Sequence, residues 1–250
     1  MHPDLAFALE LADETDDLIQ ARFRAVDLHV ETKPDSTPVT EADRNAEMLL
    51  RSRIGEARPD DAILGEEFGS EGESDRRWVL DPIDATRNFM RGIPVWATLI
   101  ALEIERVPVL GVVSAPALGR RWWAYRDAGA FVNATPIRVS GVERLADAQL
   151  AYGDVETFDE TGQAEQFLAL SRACGRSRGF GDFWSHMLVA EGACDIGLDP
   201  IVAEWDLAAL QIIVEEAGGR FTDFDGNPRP DGGSAISTNG ALHDAVLASF

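Results

Sequence analysis

Basic side chains are scarce in this sequence, and lysine is almost missing. Against 44 Asp+Glu stand 22 Lys+Arg; Lys33 is the only lysine and the other 21 are arginines. The net charge of −22 repels nucleic acid and anionic membranes, so neither is expected as a partner. It would also repel a phosphorylated substrate unless metal ions reversed the sign locally. In a chain that otherwise uses arginine, Lys33 marks a place for a compact ammonium where a planar fork does not serve. Cysteine is nearly as rare: Cys174 and Cys194 form no C-x-x-C, which argues against a zinc site or a disulfide scaffold and for a reducing compartment. The start, Met1-His2-Pro3-Asp4-Leu5, is acidic and lacks the basic and apolar regions of a signal peptide. No apolar stretch approaches the ~20 residues a bilayer needs, the longest lying around Val95 to Leu102. A cytoplasmic protein is expected.

What remains is an ordinary globular composition, 45% apolar and 26% charged over 250 residues, enough for one large domain or two tightly joined lobes. Leu5, Ala8, Leu9, Ala12, Ile19 and Phe23 mark an amphipathic first helix, and Thr40 caps a second one carrying Ala46, Leu49, Leu50 and Ile54. Three β-rich runs, Val95 to Leu102, Pro108 to Ser114 and Arg121 to Tyr125, predict an antiparallel meander, with a short strand near Pro136 to Val139. A boundary near Ser140 to Asp147 divides an N-terminal α+β lobe, 1–140, from a C-terminal α/β lobe, 141–250. The second lobe reads as strand Gln149 to Tyr152, helix Glu160 to Cys174, helix Asp182 to Glu191 and strand Asp195 to Leu198. A helix from Glu204 to the Gly218-Gly219 stop, two strands around a Gly/Pro loop and a last helix from Ala241 complete it. Alternating strands and helices predict a layered α/β or α+β fold.

The chemistry-bearing stretch is Trp78-Val79-Leu80-Asp81-Pro82-Ile83-Asp84-Ala85-Thr86. A buried strand ends in two acids three positions apart, and the proline between them predicts a sharp turn. Read blandly, this is a capped turn; Asp43 in the first turn after Thr40 is half of a capping box, and Asp206 simply faces a helix dipole. Yet Asp43, Glu66, Asp81, Asp84 and Asp206 are five carboxylates at the mouths of five elements. An oxygen-only donor set suits magnesium, and the lack of a neighbouring histidine disfavours zinc. A covalent aspartyl phosphatase would want D-x-D-x-T rather than D-x-x-D, and no G-x-S-x-G is present for a serine hydrolase. Gly179-Phe180-Gly181 is a poor dinucleotide fingerprint, and His186 reads as a packed or surface histidine.

Gly65-Glu66-Glu67, Asp81-Pro82-Ile83-Asp84-Ala85-Thr86 and Trp205-Asp206-Leu207-Ala208-Ala209 with Glu216-Ala217-Gly218-Gly219 resemble, in order, the signatures of the inositol monophosphatase superfamily. Lys33 and Val39-Thr40-Glu41-Ala42-Asp43 fit the same pattern. The resemblance implies an α/β layered sandwich (αβαβα) and a magnesium-dependent phosphomonoesterase, commonly a homodimer. Glu66, Asp81, Asp84, Asp206 and the carbonyl of Ile83 would hold two or three Mg2+ ions, with Asp43 reaching one partly through water. Thr86, Asp43 and Glu66 would orient a water for attack on phosphorus, while the amides of Ala85 and Thr86, and Lys33, would meet the phosphate. Where the family has glycine this chain has Ala85, which strains the loop by roughly 1 kcal/mol or more if φ is positive. Arg91 to Ala97, Ser114 to Leu118, Arg120 to Trp123, Gly181-Asp182-Phe183 and Gly232 to Ala235 look most like the actinobacterial-type histidinol-phosphate phosphatases. By that likeness Asp182 could pair with the substrate's amino group, unless it only caps its helix, and Asp199 could contact the substrate's polar end. The small phosphorylated metabolite expected is L-histidinol phosphate, the alternatives being inositol, sugar or nucleotide phosphates, or a non-catalytic magnesium-binding regulator.

Overall fold

The spacing of Leu5, Ala8, Leu11, Ala12 and Ile19 does produce a helix, α1 (Pro3–Gln20), begun by a proline at its first position and by His2, whose Nδ1 accepts from the Asp4 amide. The computed structural model describes residues 2–32 and 38–250. After α1 come β1 (Val30–Thr32), β2 (Pro38–Thr40), α2 (Glu41–Ala57), β3 (Ala62–Gly65), β4 (Gly69–Glu71), β5 (Arg76–Asp84) and the short α3 (Thr86–Met90). The expected meander is present as β6 (Ala97–Ile104), β7 (Val107–Ala115) and β8 (Arg120–Tyr125), extended by β9 (Ala130–Val132) and β10 (Thr135–Ile137). These form an eight-stranded sheet in the order β10-β9-β8-β7-β6-β5-β3-β4, antiparallel except where β3 runs parallel to β5.

The second half holds β11 (Gln149–Tyr152), α4 (Val155–Glu160), α5 (Ala164–Ala173), β12 (Arg176–Gly179), α6 (Asp182–Ala190), β13 (Ile196–Asp199), α7 (Glu204–Glu216), β14 (Arg220–Thr222), β15 (Ala235–Thr238) and α8 (His243–Leu247). Its five-stranded sheet is ordered β12-β11-β13-β15-β14, with β11 parallel to both neighbours and β15 antiparallel to both of its own.

Packing stacks these pieces as α/β/α/β/α. Leu11, Leu50 and Ile54 of α1 and α2 bury against Trp78, Leu80, Ile100 and Leu102 on one face of the first sheet. Alternate residues Val79, Leu99 and Val113 meet Phe183, Met187, Leu207 and Ile213 of α6 and α7 on the other. A strand covered on both faces has no polar side, which is why the middle of β5, Trp78-Val79-Leu80, is apolar without alternation. Gly111 lets α7 approach closely, since a Cβ there would lie 2.5 Å from the Ala209 carbonyl oxygen. Phe158, Phe167, Leu170 and Val246 of α4, α5 and α8 close the outer face of the second sheet over Leu150, Ile196 and Ile236.

Two expectations are corrected. The helix read from Glu160 to Cys174 begins only at Ala164, as α5, after a turn in which Gly162 has φ 73°, and a separate short helix, α4, precedes it over a stretch the sequence reading left without an element. The sharp turn predicted at Pro82 is absent: β5 continues through the proline to Asp84, with a bulge in its pairing to β6 between Asp81 and Asp84. The polar edge strand β12 escaped the sequence reading because it buries no alternating apolar face. Both cysteines are free and buried.

Candidate active site

The bulge in β5 creates the site. Residues three apart on a regular strand point to opposite faces, but one extra residue against β6 resets the alternation, so Asp81 and Asp84 converge. Asp206, in the first turn of α7, completes a trio whose carboxylate oxygens all lie within 4.8 Å of one another. Each is anchored by a backbone amide: Ile83 N–H donates to Asp81 Oδ1 at 3.0 Å, Phe183 N–H to Asp84 Oδ2 at 2.9 Å and Ala203 N–H to Asp206 Oδ2 at 2.9 Å. The anchors therefore come from β5, the start of α6 and the cap of α7, so both sheets' connections are needed to build the trio.

Among the described residues, no arginine or histidine forms an ion pair with any of the three. Burial together with the charges of Glu66 and the neighbouring aspartates pushes Asp81 well above the usual carboxylate range. Burial, then Asp182 and Asp206, does the same to Asp84. Burial, opposed by the Ala203 amide and reinforced by Glu66, brings Asp206 up to about 7. Three anchored acids that repel one another fit a hard divalent cation, which would relieve the repulsion with oxygen ligands alone.

Asp43 satisfies both of its sequence readings. Its Oδ2 accepts from Thr40 N–H at 2.8 Å, closing the capping box of α2, while its Oδ1 faces the Thr86 hydroxyl at 3.2 Å. Burial is the main reason its carboxyl lies at about 6, with Glu66 adding repulsion. Thr86 Oγ1 also lies 2.9 Å from the Ile83 carbonyl, so its single proton has two alternative acceptors. Ala85, just before α3, has φ 66° and ψ 45°, the left-handed conformation that makes its side chain costly. Glu66 lines the same cleft as Asp84, Thr86 and Asp206, a space of about 720 Å³.

A residue that the sequence did not single out shapes the Glu66 turn. Glu47 is buried and accepts from the amides of Glu67 at 2.7 Å and Phe68 at 3.2 Å, with Arg51 Nε at 2.7 Å. A Cβ at Gly65 would sit 2.0 Å from Glu47 Oε1, so glycine is required there. From spacing alone Glu47 and Arg51 read as a surface i,i+4 pair.

Asp182 and Asp199 line the same cleft, with Arg87, Asn88 and Asp154. Asp182 does not cap α6: Gly181 occupies that position without a side-chain bond, and Asp182 Oδ2 instead faces Asn88 Nδ2 at 3.3 Å. Burial and the charge of Asp199 raise Asp182 to about 6, against the pull of Arg87. Asp154 caps α4 through the Glu156 amide. His186 is packed in the core, and its Nε2 lies 2.8 Å from Asp199 Oδ2. Lys33 falls outside the described residues.

The sequence profile described as the Inositol monophosphatase family matches residues 1–250. The chain belongs to that family. It is 54% identical to a histidinol-phosphatase of Mycobacterium tuberculosis over 98% of this chain and 97% of that protein. It is 52% identical to a histidinol-phosphatase of Streptomyces coelicolor, over 98% and 95%. The solved structure of the Thermotoga maritima IMPase superposes with a TM-score of 0.89 at 33% identity, covering 99% of this chain and 96% of that one. This member of the inositol monophosphatase family is a phosphoric monoester hydrolase of a metal-dependent kind. Among the described residues, no helix is long and apolar enough to cross a membrane.

Proposed function

We propose that this hydrolase cleaves L-histidinol phosphate to L-histidinol and inorganic phosphate with two or three Mg2+ ions. The observation that carries the substrate is the placement of Asp182 and Asp199 in one cleft with Asp84 and Asp206. A phosphate drawn to the metal ions would leave the cationic amino alcohol beside these acids, where Arg87 is the opposing charge that acts on Asp182. The names of the two relatives above half identity support the same substrate.

Glu66, Asp81, Asp84, Asp206 and the carbonyl of Ile83 would hold the ions, with Asp43 assisting. Magnesium bound there would lower the pKa of water and neutralise charge on the transferring phosphoryl group and leaving alkoxide. Thr86, by turning its own proton toward Asp43 or the Ile83 carbonyl, would leave its oxygen to accept a hydrogen bond from the attacking water and align it, with no proton transferred to Thr86. Amides at the start of α3, from Ala85 and Thr86, would receive phosphate oxygens, and Lys33 would add positive charge. The division at 140/141, assembly as a homodimer and residence in the cytoplasm belong to the same proposal; light scattering tests the dimer.

Phosphate release from L-histidinol phosphate and from inositol 1-phosphate, each with magnesium and with Asp84→Asn as the blank, tests the assignment. Preference for histidinol phosphate that vanishes in the blank is the expected outcome. Preference for inositol 1-phosphate would retain the metal chemistry and remove the substrate.

A further inference from the structure

The second sheet carries a buried polar chain behind the substrate end of the cleft. His186 lies on α6, one turn after Asp182, and is 0% exposed. Its Nε2 is 2.8 Å from Asp199 Oδ2, and its Nδ1 is 2.8 Å from Ser237 Oγ on β15. A carboxylate can only accept, so Nε2 carries a proton and donates it to Asp199, while the Ser237 hydroxyl, which can donate or accept, satisfies Nδ1. The backbone is cut away to make room for this chain: a Cβ at Gly197 would come within 2.5 Å of Ser237 Oγ and 3.3 Å of His186 Nδ1, and one at Gly153 within 2.2 Å of Asp199 Oδ1. Three side chains in the order Ser, His, Asp suggest a hydrolytic triad, but Ser237 is wholly buried and does not line the cleft. Its hydroxyl has no access to a substrate.

Resting on the reading of an amino-alcohol phosphate as substrate, we propose that His186 is a positioning residue. It holds Asp199 in one orientation, charged and aimed into the cleft, as the acceptor for the substrate's ammonium group. A carboxylate on a strand end would otherwise sample several rotamers and lose part of its binding advantage to ordering at each encounter. With one oxygen held by His186 and the other beside the bare backbone of Gly153, the direction of approach is fixed before substrate arrives. Specificity for a cationic alcohol over a neutral one then depends on a side chain that the substrate never touches.

The test is steady-state kinetics of the full-length protein with magnesium, on L-histidinol phosphate and on p-nitrophenyl phosphate, whose alcohol carries no cation. His186→Phe removes the donor, and His186→Gln restores one near the position of Nε2. The expected result for His186→Phe is a KM for histidinol phosphate raised about tenfold, with kcat little changed and p-nitrophenyl phosphate kinetics kept within about twofold. His186→Gln recovers most of the KM, and His186→Phe added to Asp199→Asn brings no further loss. Equal losses on both substrates, a kcat defect without a KM change, or additivity with Asp199→Asn would overturn the inference. If His186→Phe does not fold, Ser237→Ala frees the far nitrogen and must show the same one-sided KM shift in smaller measure, or the inference fails. A wild-type protein indifferent to the substrate's charge would overturn the substrate reading and this inference together. A selective wild type with an equally selective His186→Phe overturns this inference alone.

Discussion

Buried acids are treated in opposite ways in two regions of this protein. On the outer part of the first sheet each has an arginine: Glu103 is fully buried and accepts from Arg77 Nε at 3.0 Å, Arg77 also reaches Glu204, and Glu47 pairs with Arg51. At the site, Asp81, Asp84 and Asp206 are anchored by amides, and no described arginine reaches them. The chain has arginines enough to spend and uses them elsewhere. Removing one partner from a buried pair leaves a destabilising charge, and the cleft is already in that condition by construction. The contrast teaches that, among the described residues, the protein supplies these three acids with no counter-charge, which fits the cation proposed for the site.

The largest effect expected is on turnover. Asp84→Asn should lower kcat/KM by about a thousandfold or more, equivalent to about 4 kcal/mol of transition-state stabilisation, while raising the melting temperature in EDTA because one repelling charge is gone. A lower melting temperature in EDTA would break the comparison. Arg77→Ala should do the reverse, costing about 3–5 kcal/mol in denaturant unfolding, since it strands Glu103 and loosens Glu204 at the start of α7.

Magnesium should stabilise the wild type by about 2.7 kcal/mol when present at a hundred times its dissociation constant, and Asp84→Asn should lose most of that gain in a thermal scan. The pH profile sharpens the same point. Asp43 at about 6 and Asp206 at about 7 lie above the ordinary value of 3.8. Between these limits the folded metal-free chain binds more protons than the unfolded chain, so its stability falls as pH rises from about 4 to 7. Denaturation in EDTA at several pH values should show this fall, and saturating magnesium should flatten it. The smallest effect belongs to Ala85→Gly: relief of a left-handed alanine should stabilise by about 1 kcal/mol at most, visible in the denaturation midpoint, with activity unchanged or raised.

The acids of the cleft were legible because oxygen ligands must be carboxylates and carboxylates at element boundaries stand out in a sequence. Asp43, Glu66, Asp81, Asp84 and Asp206 could be named, and the layered α/β fold followed from alternating elements with a meander. Their convergence was not legible. Pro82 suggested a chain reversal, whereas the edge-like freedom of a bulge allows proline to stay in the strand and turn both aspartates to one side. Glu47, Asn88 and His186 gave no signal because their partners, the Glu67 amide, Asp182 and Asp199, lie 20, 94 and 13 positions away.

By itself the sequence determined the donor chemistry, the periodicities that make helices and strands, and the sign of the field around the protein, because each is a property of residue type and near spacing. The tertiary structure alone decided which acids received an arginine and which converged with amide anchors and no described arginine. It also set Asp182 against Asn88 rather than its own helix, and gave Asp199 a histidine behind it. Those choices depend on which elements the packing of two sheets around α6 and α7 brings within hydrogen-bond reach, a distance that no local spacing encodes.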